Sequence, residues 1–206
     1  MPKFRKEEKE AIRECLLSKG KELFVQYGLK KTSLDDIVAA CGIAKGSFYS
    51  FFDTKEELYF EIAKREESFK DRLLADMMSS ELPPKVLLHE LFRTSFETID
   101  ANPFLQRVFR QDEWEQLVRK LPQETLQQHA EEDTRAAQRL FEKWQGQGAM
   151  LPLEHEVVTG LLRAVVFVSL HKAELGDVYE RVVELLIRFV VNGLTASDDD
   201  GTREGQ

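Results

Sequence analysis

Nothing in this chain is long and apolar enough to cross a bilayer as a helix. Such a span needs roughly 20 residues, and the longest apolar runs, such as Ala164–Leu170, fall far short. The opening stretch, MPKFRKEEKEAIRE, has no apolar core of the kind that directs export, so a cytoplasmic chain is expected. Cysteine is scarce. Cys15 and Cys41 each sit inside a helical pattern and read as small, reduced core residues of a reducing compartment. No strand-like alternation of apolar and polar residues is found. Catalytic signatures are missing as well: there is no Gly-x-Ser-x-Gly, no phosphate-binding loop and no dinucleotide glycine fingerprint. His89, His129, His155 and His171 have no cysteine or carboxylate partner at metal-ligand spacing. His155, between Glu154 and Glu156, reads as the charged start of a helix. The expectation is a protein that is not an enzyme and uses no metal or cofactor.

What is present is charge and aromatic side chain in the proportions of a folded domain, including fourteen Phe. The net charge of −8 argues at first against nucleic acid as a partner. Its distribution argues the other way. Residues 1–55 hold eleven Lys and Arg against eight Asp and Glu, while the remainder holds eighteen against twenty-nine. A basic head on an acidic body is the asymmetry of a chain that turns one end towards phosphate and repels it elsewhere.

Almost every segment reads at the helical period. Ile12, Cys15, Leu16, Leu23, Phe24 and Tyr27 share one face of a first helix, which Gly28 stops. Ser33 is placed as the N-cap of a short second helix, Leu34–Cys41, with Asp35 and Asp36 in its first turn and Gly42 after it. Lys45–Phe51 reads as a third helix. Thr54 and Glu57 form a capping-box pattern opening a long fourth helix with the stripe Leu58, Ile62, Phe69, Leu73 and Met77. Pro83-Pro84, Asn102-Pro103 and Pro122 divide the middle of the chain into a fifth helix, a sixth marked by Phe104, Leu105, Val108 and Phe109, and a long amphipathic one. That last carries Leu126, Ala130, Ala137, Leu140, Phe141 and Trp144 inward. Two closing helices, Glu154–Leu175 and Asp177–Leu194, are apolar over most of their circumference. A helix apolar all round needs covering on more than one side. Either these are central core helices or they meet a second copy, and two in succession favour a homodimer through a four-helix interface. The composition of Ser197–Gln206 predicts a disordered tail. The result is an all-α chain of about nine helices: a three-helix head over residues 1–54 and a larger helical domain over 55–196.

Residues 34–52 carry the physical marks of a helix-turn-helix. Ile37 and Val38 point inward, Gly42 permits a tight turn, and Ile43 plugs the gap between helices. Lys45, Gly46 and Ser47 open the second helix with side chains small or cationic enough to approach a groove, and Phe48, Phe51 and Phe52 anchor it from behind. Spacing alone would also suit a generic three-helix core. Residues 12–60, however, resemble the N-terminal domain of TetR-family transcriptional regulators. The likeness rests on Leu23-Phe24, Gly28, Thr32-Ser33-Leu34, Ile37, Gly42-Ile43-Ala44-Lys45-Gly46-Ser47-Phe48-Tyr49, Phe52 and Lys55-Glu56-Glu57-Leu58. The resemblance implies an all-helical homodimer on a pseudo-palindromic operator, with a variable ligand-binding domain and, as a rule, repressor activity. It implies that Thr32 and Ser33 meet phosphate, that Lys45, Gly46 and Ser47 face bases, that Tyr49 and Lys55 hold the DNA backbone, and that Lys31 adds charge. Two positions depart from the pattern. Ala44 stands where Ser often caps the third helix, and Gly20 stands where Ala is usual.

The larger domain would hold a small-molecule effector. Phe92, Phe96, Phe109, Trp114, Trp144, Phe167 and His171 are the candidate lining residues, with Arg110 a weaker one, and they lean towards an apolar or aromatic ligand.

Overall fold

Proline, capping residues and four glycines with positive φ set the punctuation of the described residues. The computed structural model describes residues 5–109 and 111–195, except the side chains at positions 111, 112, 114, 133, 136 and 169. Arg110 and the predicted tail Ser197–Gln206 lie outside the described residues. The helices run α1 Lys6–Lys31, α2 Leu34–Ala40, α3 Lys45–Phe48, α4 Lys55–Glu67, α5 Phe69–Ser79, α6 Pro84–Ala101, α7 Pro103–Val108, α8 Gln111–Lys120, α9 Gln123–Gly146, α10 His155–Phe167, α11 Lys172–Leu175 and α12 Tyr179–Leu194. The described residues contain no strand, so the all-α reading holds.

Two long helices read from periodicity are broken. The pattern predicts one helix from Thr54 through Met77. The backbone breaks at Ser68, whose hydroxyl donates to the Arg65 carbonyl at 2.7 Å and takes it from the ladder. The pattern Glu154–Leu175 is likewise not one helix. After α10 comes a 3-10 turn over Val168–His171, then the short α11, then a second 3-10 turn entered at Gly176, where φ is 55°. A run rich in β-branched valines, Val165, Val166 and Val168, makes a poor continuous α-helix. Between α7 and α9 the chain adds α8, which has no counterpart in the apolar pattern.

The chain packs as two compact units. One runs to Ser68 and takes in Asn102–Leu126; the other comprises Phe69–Ala101 and the described residues from Gln127 onward. The sequence divides the chain after residue 54, at the end of the helix-turn-helix. Packing groups α4, α7 and α8 with it. In this first unit Leu16, Phe24, Leu29, Ile37, Phe48, Leu58, Tyr59, Ile62, Phe104 and Leu117 are buried together. Each large side chain so buried contributes roughly 1.5–3 kcal/mol. Gly20 has a reason here. A Cβ at this position would lie 3.0 Å from Leu58 Cδ2 and 3.3 Å from Ile62 Cδ1, so glycine lets α1 and α4 approach closely. Its cost in helix propensity is offset by that contact. Tyr27, expected inward, is half exposed.

The cysteine expectation is corrected. Cys15 and Cys41 are joined as a disulfide, with Cα atoms 5.8 Å apart. Neither helix pattern, taken by itself, shows that the C-terminal end of α2 meets the middle of α1.

The second unit has its own core: Met77, Leu88, Phe92, Phe96, Leu140, Phe141, Trp144, Val158, Tyr179, Ile187 and Leu194. Ala130 of α9, expected inward, is exposed.

Candidate nucleic-acid interface

The helix-turn-helix is built from local chemistry. Gly28, at φ 79°, ends the long run of α1, and its carbonyl accepts from the Thr32 amide at 3.2 Å. Ser33 then caps α2. Its hydroxyl accepts from the Asp36 amide at 3.1 Å, while the Asp36 carboxylate accepts from the Ser33 amide at 3.1 Å. The Ser33 hydroxyl also donates to that carboxylate at 2.5 Å, and these donations from the Ser33 hydroxyl and amide hold the Asp36 carboxyl below its ordinary pKa. Cys41 is the C-cap of α2, Gly42 turns at φ 63°, and the Ile43 amide closes the turn on the Val38 carbonyl at 3.1 Å.

The third helix is shorter than its pattern suggests. Regular α3 covers Lys45–Phe48, and turns continue it to Phe51. Ala44 offers no side-chain cap, as its methyl group dictates. Phe48 is fully buried and Phe52 nearly so, which fixes this segment from behind. Lys45, Gly46 and Tyr49 are exposed and Ser47 partly so. A Cβ on Gly46 would meet nothing within 4 Å. Tyr49 is held edge-on against Phe48, with centroids 5.7 Å apart. The Lys45 ammonium lies 2.9 Å from Asp35, which raises its pKa above the ordinary lysine value through that hydrogen bond and the opposite charge. Lys30 and Lys31 are exposed beside this surface in sequence.

Two expected phosphate contacts are placed otherwise. Thr32 is buried, and its hydroxyl donates to the Gly28 carbonyl at 2.8 Å, so it fastens the end of α1 instead of facing solvent. Lys55 turns its ammonium onto the carbonyls of Leu29 and Thr32, both at 2.7 Å. It braces α4 against the same turn. At the start of α4, the Thr54 hydroxyl accepts from the Glu57 amide at 3.0 Å, but the Glu57 carboxylate reaches Asp53, not Thr54.

A buried polar cluster behind this surface was not legible in the sequence. Glu113 of α8 is 6% exposed. It accepts from the Tyr59 hydroxyl at 2.5 Å and the Leu29 amide at 3.4 Å, and pairs with Arg107 at 3.2 Å. Arg107 also donates through Nε to the Val25 carbonyl at 2.9 Å. A Cβ on Gly28 would lie 2.9 Å from both Arg107 Nη1 and Glu113 Oε1.

Residues 16–62 match the family described as bacterial regulatory proteins, tetR family. Over that segment the chain is similar to the tetR family. It is 36% identical to the transcriptional repressor KstR2 of Rhodococcus jostii over 113 residues, a match spanning 53% of each chain and so about half the length of that relative. KstR2 of Mycolicibacterium smegmatis is 28% identical over 91% of this chain and 93% of its own. Among solved structures, a TetR-family transcription regulator from Marinobacter aquaeolei superimposes with a TM-score of 0.68, at 14% identity, over 92% of this chain and 98% of the other. That likeness supports the fold alone. No helix among the described residues is long and apolar enough to cross a membrane.

The candidate effector residues separate. Phe92, Phe96 and Trp144 are buried in the core of the second unit. Phe109 is half-buried and belongs to the first unit. Phe167 and His171 are corrected: both are exposed, Phe167 on the outer side of α10 and His171 facing Glu174 at 3.7 Å. A helix apolar over most of its circumference gives little sign of which side the core takes. The Trp114 side chain and Arg110 lie outside the described residues.

Proposed function

We propose that this chain is a TetR-family, sequence-specific, operator-binding transcriptional repressor. It works as a homodimer in the cytoplasm and is released from DNA by a small apolar or aromatic ligand. The observation that carries the reading is α3: buried Phe48 holds it while Lys45, Gly46, Ser47 and Tyr49 face outward with open space above Gly46. Lys45 and Ser47 face base edges and phosphate in the major groove. Tyr49, Lys31 and the Ser33 end of α2 hold the flanking backbone. The repressor names of the relatives support the same reading.

A palindromic operator needs a second copy, with recognition helices about 34–36 Å apart. The last helices are suited to supply it. Val157, Leu161 and Phe167 of α10, with Phe189 of α12, are large apolar side chains left in solvent. Val157 and Leu161, four residues apart, share one side of α10, and exposed apolar side chains of this size suit an uncovered interface. For the effector, Phe92, Phe96 and Trp144 are the residues retained. A ligand among them releases the operator by binding the DNA-free state more tightly than the bound one.

Selection of bound sequences from a random DNA pool tests the reading directly. A two-fold-related site is expected, and Lys45→Ala combined with Tyr49→Phe lowers its affinity at least tenfold in a gel-shift titration. Equal, weak binding to all sequences would overturn it.

A further inference from the structure

We propose that Cys15 and Cys41 form a reversible thiol–disulfide site, oxidised by hydroperoxides, whose state sets operator affinity by bracing the turn ahead of α3. The inference rests on the DNA-reading function proposed above. Its geometry stands independently.

The backbones are already placed for the bond. The Cα separation of 5.8 Å lies within the range in which two cysteines bridge without backbone movement. Both residues are partly exposed, so a small oxidant and a small thiol can reach them. The bridge joins positions 26 residues apart, the middle of α1 to the C-cap of α2.

That C-cap is where the reading helix takes its direction. The amides of Cys41, Gly42 and Ile43 bond back to Ile37, Ala39 and Val38, and α3 begins at Lys45. Because α3 has only four regular residues and no side-chain cap, its pose depends on this turn and on Phe48. A covalent tie at Cys41 therefore acts at the joint between α2 and α3. With the bond made, the turn is anchored to α1. With it open, Cys41 keeps its backbone bond within α2 but loses its covalent tie to α1.

The compartment supplies the reason for reversibility. A protein that reads the chromosome shares a space kept reducing by low-molecular-weight thiols, where disulfides that form are as a rule transient or redox-sensing. The chemistry balances. One thiolate attacks the outer oxygen of the hydroperoxide; the O–O bond breaks, the alkoxide leaves and takes a proton as an alcohol, and a sulfenic acid remains. The second thiolate attacks that sulfur, the S–O bond breaks, and water leaves. Two thiols and one hydroperoxide become one disulfide, one alcohol and one water. Two equivalents of a small thiol reverse it by exchange, themselves leaving as a disulfide.

The test compares the full-length protein after hydrogen peroxide and after dithiothreitol. Peptide mapping without reductant is expected to show the Cys15–Cys41 cross-link after peroxide and its loss after dithiothreitol. The oxidised protein is expected to bind the selected operator threefold to tenfold more tightly than the reduced one. Cys15→Ser and Cys41→Ser, each measured in both conditions, are expected to bind like the reduced protein. Equal affinity of the two wild-type states, or no cross-link after peroxide, overturns the proposal without needing either variant to fold. If the DNA pool yields no operator, the functional reading fails separately. Amide exchange over residues 41–48 then decides the brace: slower exchange in the oxidised state upholds it, and identical exchange overturns it.

Discussion

Replacing Glu113 by alanine tests whether α8 belongs to the DNA-binding unit in energy as well as in packing. The carboxylate accepts from the buried Tyr59 hydroxyl and the Leu29 amide, and pairs with Arg107. A hydrogen bond to a charged acceptor contributes about 1.5–3 kcal/mol, and a buried donor left alone costs about 1–3 kcal/mol. The Arg107 side chain is 27% exposed, so water takes over part of its pairing, and the ion pair adds little beyond this. The sum is about 3 kcal/mol, which for a chain of this size lowers the melting temperature by roughly 6–12 °C. Thermal unfolding followed by helical circular dichroism reads the total. A double-mutant cycle with Tyr59→Phe isolates the shared bond, with an expected coupling of about 1–2 kcal/mol. Glu113→Gln, which keeps the shape, is expected to lose about half as much. If Glu113→Ala unfolds within 1 °C of the parent, or adds without coupling to Tyr59→Phe, the buried cluster does not hold the unit together.

Gly28→Ala forces an L-residue into positive φ and sets a methyl 2.9 Å from Arg107 Nη1 and Glu113 Oε1; a loss of about 2–3 kcal/mol is expected in urea unfolding. Gly46→Ala, with nothing within 4 Å of the new methyl, is expected to leave the melting temperature within about 2 °C while lowering operator affinity about tenfold in a gel shift. Because the folded-state pKa of Asp36 is depressed, its stabilising bond with Ser33 is present above the unfolded value of 3.8 and is lost as pH falls below it through the folded value. Asp36→Asn is therefore expected to lower the neutral plateau slightly and to leave stability at pH values below the folded pKa unchanged, so that the acid limb flattens in urea unfolding followed across pH. Phe167→Glu with Phe189→Glu, at positions 48% and 62% exposed, is expected to leave the fold intact. Sedimentation should show the dimer weakened at least a hundredfold.

Local chemistry is the part of this molecule that its sequence makes legible. Gly28, Ser33 and Gly42 do what their residue types require within four residues of themselves, and all three stand where the pattern places them. The stripe of α1 and the phenylalanine anchors behind α3 come from periodicity. Contacts across long sequence separations cannot be read this way. Glu113 bonds to Leu29, 84 residues away, and nothing in the polar-looking stretch 111–120 marks it as buried. Cys15 and Cys41 each fit a helix alone, and only the packing of α1 on α2 brings them together. Family resemblance puts Thr32 and Lys55 on DNA without their local partners in view. Both instead spend their polar atoms on the backbone of the turn before α2. Phe167 and His171 read as inward because α10 is apolar over most of its circumference, which leaves the core-facing side undetermined.

The partners of Thr32, Lys55 and Glu113 converge on one short segment. Between Gly28 and Thr32 the chain leaves α1 and enters α2, and three separate parts of the first unit, α4, α7 and α8, are bonded to that passage or to the turn of α1 just before it. Lys55 at the start of α4 holds the Leu29 and Thr32 carbonyls, and Glu113 of α8 holds the Leu29 amide. Arg107 of α7 holds the Val25 carbonyl, and the Thr32 hydroxyl closes on Gly28. Ser33, the next residue, caps α2, so whatever fixes this passage fixes the position from which α2 and then α3 depart. Each bond is worth about 0.5–1.5 kcal/mol, and the charged ones more. Together they make movement of α2 against α4 cost several kcal/mol. The reading helix is thus held at both ends of α2: at its start by α4, α7 and α8 through the Gly28–Thr32 turn, and at its end by the bridge from Cys41 to α1. A signal that repositions α3 has to act through one of these two attachments. The first is a set of hydrogen bonds that can shift with α4 or α8. The second is a single covalent bond that is either made or open.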